Sequence, residues 1–372
     1  MQQTMRRERF FRMDGAAAVQ LLADSAVVHL ASTDAAGAPI LRTLHAVVVE
    51  GALSFHAAPV GEKAETIGRA AVVSAEEIVA TVPSYFADPE RACPATTLYR
   101  SAQAHGVVTA VESRADKARV LQALMRKYQP EGRHVPIDVA EPRFEELYGK
   151  QVDAIWIGRL PLDRVDGKSK LAQNRSPEER ARLCEHLWAR GEVGDPRAIE
   201  LIRAANADMP TPEFLRFTPS ERLASHEITP AVTLHCALDE RDVAQAVALL
   251  APEYWNVDRH APERIAGALR GSSAWVGARD GAGALVACAR AVSDGHKSAW
   301  IYDVIVAPAW RRRGLASAVM RLLLDHPRLR DVATQFLQTR DAQPLYRTLG
   351  FAAEAEVPAP PFPRTAMLRN QR

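Results

Sequence analysis

Residues 300–316 read WIYDVIVAPAWRRRGLA, and the second half of the chain is organised around them. Ala299 to Val306 is an apolar run bounded by turn formers, the pattern of a buried strand. Ala307-Pro308 breaks the run, and Arg311-Arg312-Arg313-Gly314-Leu315-Ala316 follows. Leu315, Val319, Leu322 and Leu323 then fall on one helical face. A strand, a basic turn containing glycine and a helix start together make an anion site. The N–H groups of the first turn lack intrahelical partners, and the helix dipole adds positive potential there. Gly314 lets backbone approach a phosphate closely, and small Ala316 keeps the next turn clear. An ordinary strand-to-helix connection with solvated arginines would read the same way, so the surrounding order has to decide.

Val232 to Ala237 reads as a strand, and Asp239 caps a helix with Val243, Val247 and Leu250 on one face. Pro262 to Leu269 is a second helix with proline in its first turn. Ala274 to Ala278 and Leu285 to Val292 are strands joined by Asp280-Gly-Ala-Gly283, a hairpin signal. After the central stretch come a strand at Asp331 to Leu337, a helix at Ala342 to Leu349, and Gly350-Phe351 opening the last strands.

This order, with Arg-x-x-Gly-x-Ala after a central strand and Tyr346-x-x-x-Gly350-Phe351 near the end, resembles the GNAT N-acyltransferases over Val232 to Leu368. The resemblance implies that Arg311, Arg312, Arg313, Gly314, Leu315 and Ala316 hold the pyrophosphate of acetyl-CoA. It implies that Val304, Ile305 and Val306 pair with the pantetheine arm like an added strand, and that Tyr346 protonates the leaving thiolate. A tyrosine hydroxyl suits that role because the CoA thiol is a comparable acid and the proton moves only a hydrogen-bond length. The acceptor amine must lose a proton before attack. Asp303 on the cofactor strand is the candidate base, with Glu253, Asp294 or a water relay as alternatives. Tyr254, Trp255 and Arg290 are candidates for shaping the acceptor site or for plain core roles.

In the first half, Ala16 to Ala23 reads as a short helix and Val27 to Ser32 as a strand. A long β-rich run at Pro39 to Glu50 turns at Gly51 into Leu53 to Ala57, a β-meander. Glu62 to Arg69 reads as a helix. Val72 to Thr81, Leu98 to Val111 and Gln151 to Leu160 read as strands, and Arg114 to Tyr128 has helical spacing. Strands on short turns with peripheral helices suggest a small barrel, so the fold class expected for the chain is α+β. Arg42 and Thr43 lie on one strand, the next strand ends in Ser54-Phe-His56-Ala57-Ala58 followed by Pro-Val-Gly-Glu-Lys63, and an arginine and a lysine at neighbouring strand and helix ends can pair with a phosphate dianion. Taken singly, each reads as a solvated side chain.

Together with Tyr99-x-Ser101-x-x-x-x-Gly106, these residues resemble the FMN-binding split barrels related to pyridoxamine 5'-phosphate oxidase. Lys168-Ser-Lys-Leu-Ala-Gln-Asn-Arg-Ser176, placed after the last barrel strand, is similar to the PaiB-like branch, the FMN-binding transcriptional regulators. The resemblance covers Arg9 to Ala205. It implies that Arg42, Thr43, His56, Ala57 and Lys63 hold the FMN phosphate, that Ser101 faces the isoalloxazine ring, and that the flavin sits across a homodimer interface. The chain departs from the oxidase in lacking a counterpart of its substrate-phosphate arginines and in carrying His45 where a lysine often stands. His29, His45, His56 and His105 raise haem as an alternative ligand.

The 372 residues suggest two domains: a split barrel over 1–208, a proline-rich linker over 209–230 and a mixed α/β GNAT domain over 231–372. A hydrophobic fraction of 47%, a charged fraction of 25% and a net charge of +2 are those of an ordinary globular chain and give no argument for nucleic acid. No helix-turn-helix with a basic recognition helix is legible. Pro177 to Arg190 is instead amphipathic, with Leu183 and Leu187 inward. Cys93, Cys184, Cys236 and Cys288 have no zinc spacing, so free thiols and no metal are expected. The basic N-terminus lacks the apolar core of a signal peptide, and no run approaches the ~20 apolar residues of a membrane span. The expectation is a cytoplasmic enzyme acetylating a small-molecule amine. The alternatives are an FMN-sensing regulator with a non-catalytic CoA-binding domain, or a flavin oxidoreductase with an auxiliary GNAT half.

Overall fold

The computed structural model describes residues 8–217 and 231–357. It is an α+β chain that divides by its contacts into two compact units, residues 1–180 with 204–207, and residues 181–203 with 208–372.

The first unit opens with helices α1 (Glu8–Phe11) and α2 (Gly15–Asp24), followed by strands β1 (Val28–Thr33), β2 (Pro39–Leu44), β3 (Val47–Val49) and β4 (Ala52–Ala57). Then come β5 (Ala70–Val82), β6 (Thr96–Val107), β7 (Thr109–Ala110), α3 (Arg114–Tyr128), α4 (Lys150–Ala154), β8 (Trp156–Pro161) and β9 (Val165–Lys170). The strands form a five-stranded sheet in the order β2-β1-β5-β6-β9 and a four-stranded sheet in the order β3-β4-β8-β7. The barrel is therefore split into two sheets rather than closed. The core between them is built from Leu22, Leu30, Leu53, Phe55 and Leu160, all 1% exposed or less. Full burial of each such side chain is worth about 1.5–3 kcal/mol. Helix α2 lies close to β9: a Cβ at Gly167 would stand 2.7 Å from the Ala18 Cβ. Only glycine allows that approach.

Helices α5 (Pro177–Arg190) and α6 (Asp195–Ala205) follow. The sequence reading runs the first domain to residue 208, whereas residues 181–203 pack with the second unit. Of the expected linker, residues 218–230 lie outside the described residues, and Glu213–Leu215 forms a 3-10 turn.

The second unit continues with β10 (Val232–His235), α7 (Val243–Leu250), α8 (Pro262–Arg270), β11 (Ala274–Asp280), β12 (Leu285–Ser293), β13 (Ser298–Val306), α9 (Leu315–Leu324), β14 (Thr334–Phe336) and α10 (Gln343–Arg347). Asp239 and Asp242 make a capping box just ahead of α7. The sheet runs β10-β11-β12-β13-β14, antiparallel except for the parallel β13–β14 pair. Leu315, Val319, Leu322 and Leu323 of α9 are all buried, which seats the helix on the sheet.

Several local expectations change. Pro39 to Glu50 is two strands, and Glu62 to Arg69 yields only a 3-10 turn at Ala64–Thr66, between the left-handed Gly61 and Gly68. Gln151 to Ala154 is helical, because Val152 packs into a cluster with Ala118 and Phe144. Lys168 to Lys170 lies within the last strand, not after it. Phe351 opens no strand among the described residues, and Glu354–Glu356 is a 3-10 turn.

Candidate functional site

Strand β13 is not buried throughout, contrary to the expectation from its apolar run. Ala299 and Ile301 are buried while Trp300 and Tyr302 stay 38% and 41% exposed. Asp303 then adopts a left-handed φ of 52°, beside a register shift against β12 between Cys288 and Arg290. This bulge resets the alternation, so that Ile305 and Val306 are both buried. On its other edge β13 pairs with β14 only through Ser298 to Trp300. Val304, Ile305 and Val306 thus lie beyond the β14 pairing, and an unpaired strand edge offers backbone groups to a ligand. The Val306 carbonyl already accepts from Arg311 Nε at 3.0 Å.

The turn that follows is shaped for an anion. Arg312 (φ 65°) and Gly314 (φ 84°) are both left-handed, and alternating handedness makes successive N–H groups converge. Gly314 is the N-cap of α9 and brings no side-chain cap, so the first-turn N–H groups of the helix have no partner among the described residues.

These elements open onto one cavity of about 1140 Å³. Asp303, Val304, Ile305, Val306, Arg311, Arg312, Gly314, Leu315, Ala316 and Tyr346 all line it. Arg313 does not, and its guanidinium lies 5.2 Å from the Trp310 ring instead. Tyr346 sits on α10, 9% exposed, with its ring edge-on to Phe351 at 6.1 Å. Burial, followed by the neighbouring Tyr254 and Asp341, pushes its hydroxyl above the ordinary tyrosine range. It therefore holds its proton at neutral pH.

The Asp303 carboxylate is held at both oxygens. Arg290 Nε donates to Oδ2 at 2.5 Å and Trp255 Nε1 donates to Oδ1 at 3.0 Å. The ion pair is nearly buried, its side chains 11% and 9% exposed. Glu253 also lines the cavity and pairs with Arg311 at 3.2 Å. Asp294 is not part of the lining; it accepts from the backbone N–H groups of His296, Lys297 and Ser298. Trp300, Tyr302, Arg259, Arg264 and Arg340 join the lining without having been singled out in the sequence. A signal was present for the first two: aromatic residues alternating with small or aliphatic ones in SAWIYD.

In the first unit, Arg42 lies on the edge strand β2 and pairs with Glu62, while its Nη1 donates to the Leu41 carbonyl. Thr43 Oγ1 and His29 Nδ1 stand 3.4 Å apart. His56 and buried Ala57 end β4. Partial burial, then the charges of Lys63 and His45, lowers the His56 pKa from its ordinary value. Arg42 and His56 thus stand on different sheets, Arg42 paired with Glu62 and His56 within the electrostatic reach of Lys63 and His45. Ser101 is on β6, which β1 and β5 separate from β2, a distance of about 14 Å at ordinary strand spacing. His105 pairs with Asp166 at 3.2 Å, and His29 with Glu76 at 3.3 Å. Among the described residues no group of three or more His, Cys, Asp or Glu is arranged to hold a metal. No described helix is long and apolar enough to cross a membrane.

Comparison with known proteins divides the chain in the same way. Residues 14–160 match the family model of pyridoxamine 5'-phosphate oxidase, and residues 241–351 match that of the acetyltransferase (GNAT) family. No curated protein matches the chain. A putative acetyltransferase of the GNAT family from Xanthomonas campestris pv. campestris is similar, at 29% identity over 38% of this chain and 95% of its own, with a TM-score of 0.33. The FAD- and haem-binding protein from Mycobacterium smegmatis is 19% identical over 43% of this chain and 73% of its own, with a TM-score of 0.34. A putative 5-nitroimidazole antibiotic resistance protein from Bacteroides thetaiotaomicron is 18% identical over 42% of this chain and 85% of its own, with a TM-score of 0.34.

Proposed function

We propose that this chain, which joins a pyridoxamine 5'-phosphate oxidase-like flavin-binding fold to a GNAT acetyltransferase domain, transfers acetyl from acetyl-CoA to a small-molecule amine. One observation carries the reading. The left-handed turn at Arg312 and Gly314, the unpaired edge of β13 and the Tyr346 hydroxyl open onto a single cavity.

Arg311 to Ala316 would take the pyrophosphate of the cosubstrate, chiefly through backbone N–H groups. Val304 to Val306 would pair with the pantetheine amides, as an added strand does. The amine nitrogen attacks the thioester carbonyl carbon, the C–S bond breaks, and Tyr346 gives its proton to sulfur. Its raised pKa keeps the hydroxyl protonated until that step. Asp303, proposed from the sequence as the base, already accepts from Arg290 at one oxygen and from Trp255 at the other. We assign it to fixing the bulge that aims the strand edge, and the amine loses its proton to water or to Glu253.

For the first unit we propose FMN held at its phosphate by Arg42, Thr43, His56, Ala57 and Lys63, with Ser101 toward the ring, in a cytoplasmic homodimer. The fit is partial within one chain. Lys63 supplies positive charge and His56, its pKa lowered by burial, a neutral imidazole, but Arg42 must exchange Glu62 for the phosphate. A bound flavin would supply hydride transfer or act as a sensed ligand. Residues 209–230 are proposed as the linker between the two functions.

The test is acetyl transfer to a panel of amines by the full chain. Tyr346→Phe is expected to lower the rate by about 10² or more, the range for a lost general acid, and to leave acetyl-CoA affinity close to wild type. An unchanged rate would remove Tyr346 from the mechanism.

A further inference from the structure

We infer that the acceptor taken by the C-terminal cavity is an amine that also carries an anionic group and an aromatic ring, the class of the aromatic α-amino acids. The inference rests on the transferase reading above.

The charges of the lining set the first half of that description. Its carboxylates are Glu253, Asp303 and Asp341. Each is already engaged: Asp303 by Arg290 at 2.5 Å, Glu253 by Arg311 at 3.2 Å, and Asp341 by Arg340 at 3.0 Å. Arg312 belongs to the turn assigned to the pyrophosphate. Arg259 and Arg264 remain, on the loop before α8 and on its first turn, and neither has an ion-pair partner among the described residues. With Arg311 on the pyrophosphate, Glu253 is the one lining carboxylate released, and a polyamine entering here meets it against the two guanidinium groups of Arg259 and Arg264. An acceptor carboxylate meets two planar donors suited to bidentate pairing. His260, which also lines the cavity beside Arg259, adds a further donor on the same side.

The aromatic half comes from β13. The Trp300 ring is stacked on Phe336 at 5.0 Å with an interplanar angle of 19°, and lies 6.2 Å from Tyr302 at 20°. The three rings form one stack, of which Trp300 and Tyr302 line the cavity and stay 38% and 41% exposed. Arg290 lies over Tyr302 at 4.8 Å, and Arg340 over Tyr254 at 3.8 Å. Pre-stacked, fixed aromatic surface of this kind favours a flat apolar ring over a flexible aliphatic chain. The step balances without another reactant. The neutral amine forms the N–C bond, the C–S bond breaks, and Tyr346 protonates sulfur. The nitrogen's proton goes to solvent, which reprotonates Tyr346. The products are the N-acetyl amino acid and free CoA.

The experiment measures kcat/KM on the full chain at fixed acetyl-CoA for L-tryptophan, tryptamine, L-leucine and spermidine, with acetyl-CoA binding followed separately by calorimetry. Tryptophan is expected to exceed tryptamine and leucine by about tenfold each, and spermidine by more. In the double variant Arg259→Ala/Arg264→Ala the tryptophan-to-tryptamine ratio is expected to fall to within roughly threefold of unity. In Trp300→Ala the tryptophan-to-leucine ratio falls. Acetyl-CoA binding with a preference for spermidine, tryptamine or leucine overturns the inference alone. So does an unmoved ratio in a double variant that still binds acetyl-CoA. Absence of acetyl-CoA binding by the wild-type chain overturns the transferase reading beneath it. The wild-type ratios decide by themselves if a variant does not fold.

Discussion

Arg312 and Arg42 are both expected to meet a phosphate, and the chain holds them in opposite ways. Arg312 sits in a turn whose own left-handed backbone, with Gly314, makes successive N–H groups converge. Arg42 stands on an edge strand with its guanidinium on Glu62, and of its expected partners His56 and Ala57 come from β4 and Lys63 from the turn beyond it. A site made from consecutive backbone groups is finished as soon as the local chain folds. A site made from side chains on separate strands depends on register, on sheet curvature and, in the proposed homodimer, on a second copy. The comparison predicts that acetyl-CoA binding is a property of one chain and flavin binding a property of the pair.

The largest test of that contrast concerns the lock under the C-terminal cavity. Asp303→Asn leaves the nearly buried Arg290 without its counter-charge, and removing one partner of such a pair costs about 3 kcal/mol. Thermal unfolding should report that loss together with weaker acetyl-CoA binding. A variant with wild-type stability that has lost only turnover would instead make Asp303 the base.

A smaller effect separates the units by pH. Burial, helped by the charges of Arg330 and Arg328, depresses the His326 pKa to about 3. The folded imidazole stays neutral, its Nδ1 accepting from the Arg328 N–H at 3.1 Å. The unfolded chain binds a proton below its ordinary value of 6.5 that the folded chain refuses. Stability is therefore full above that value and falls, as pH drops toward 3, by roughly 1.4 kcal/mol per unit. At pH 5 the second unit should have lost about 2 kcal/mol, and His326→Asn should flatten that slope. Equal acid sensitivity in wild type and variant would place the weakness elsewhere.

The smallest predicted change sharpens the first unit. Arg42→Ala and Lys63→Ala should each weaken FMN binding by about tenfold, the worth of one charge-assisted hydrogen bond. Dilution of the protein should weaken it further. Fluorescence titration at several protein concentrations measures both, and flavin binding indifferent to either change would move the phosphate away from this cluster.

What the sequence made legible follows the same division. Arg114–Tyr128 is a helix from end to end because its period is regular and Ser113 caps it, accepting from the Asp116 N–H. The β13-turn-α9 unit is legible because its signals are adjacent in the chain. The cavity's polar lock is not. Arg290 and Asp303 meet across a hairpin only because the bulge shifts their register, and nothing in a linear pattern announces a bulge. Trp300 and Tyr302 vanish into an apolar run because aromatic and aliphatic residues score alike, although one face of the strand is open. Residues 181–203 look like a continuation of the first domain, and their partners are supplied by chain far ahead: Trp188 Nε1 donates to Asp325 Oδ2 at 2.6 Å, and Glu200 meets His235 at 2.8 Å. Contacts over such separations are set by tertiary packing and leave no local signature.

The most direct measurement of the central claim is calorimetric titration of the full chain with acetyl-CoA. Saturable binding with one site per chain is expected, at an affinity that does not change when the protein is diluted. Absence of binding heat, or binding that weakens as the protein is diluted, would contradict it.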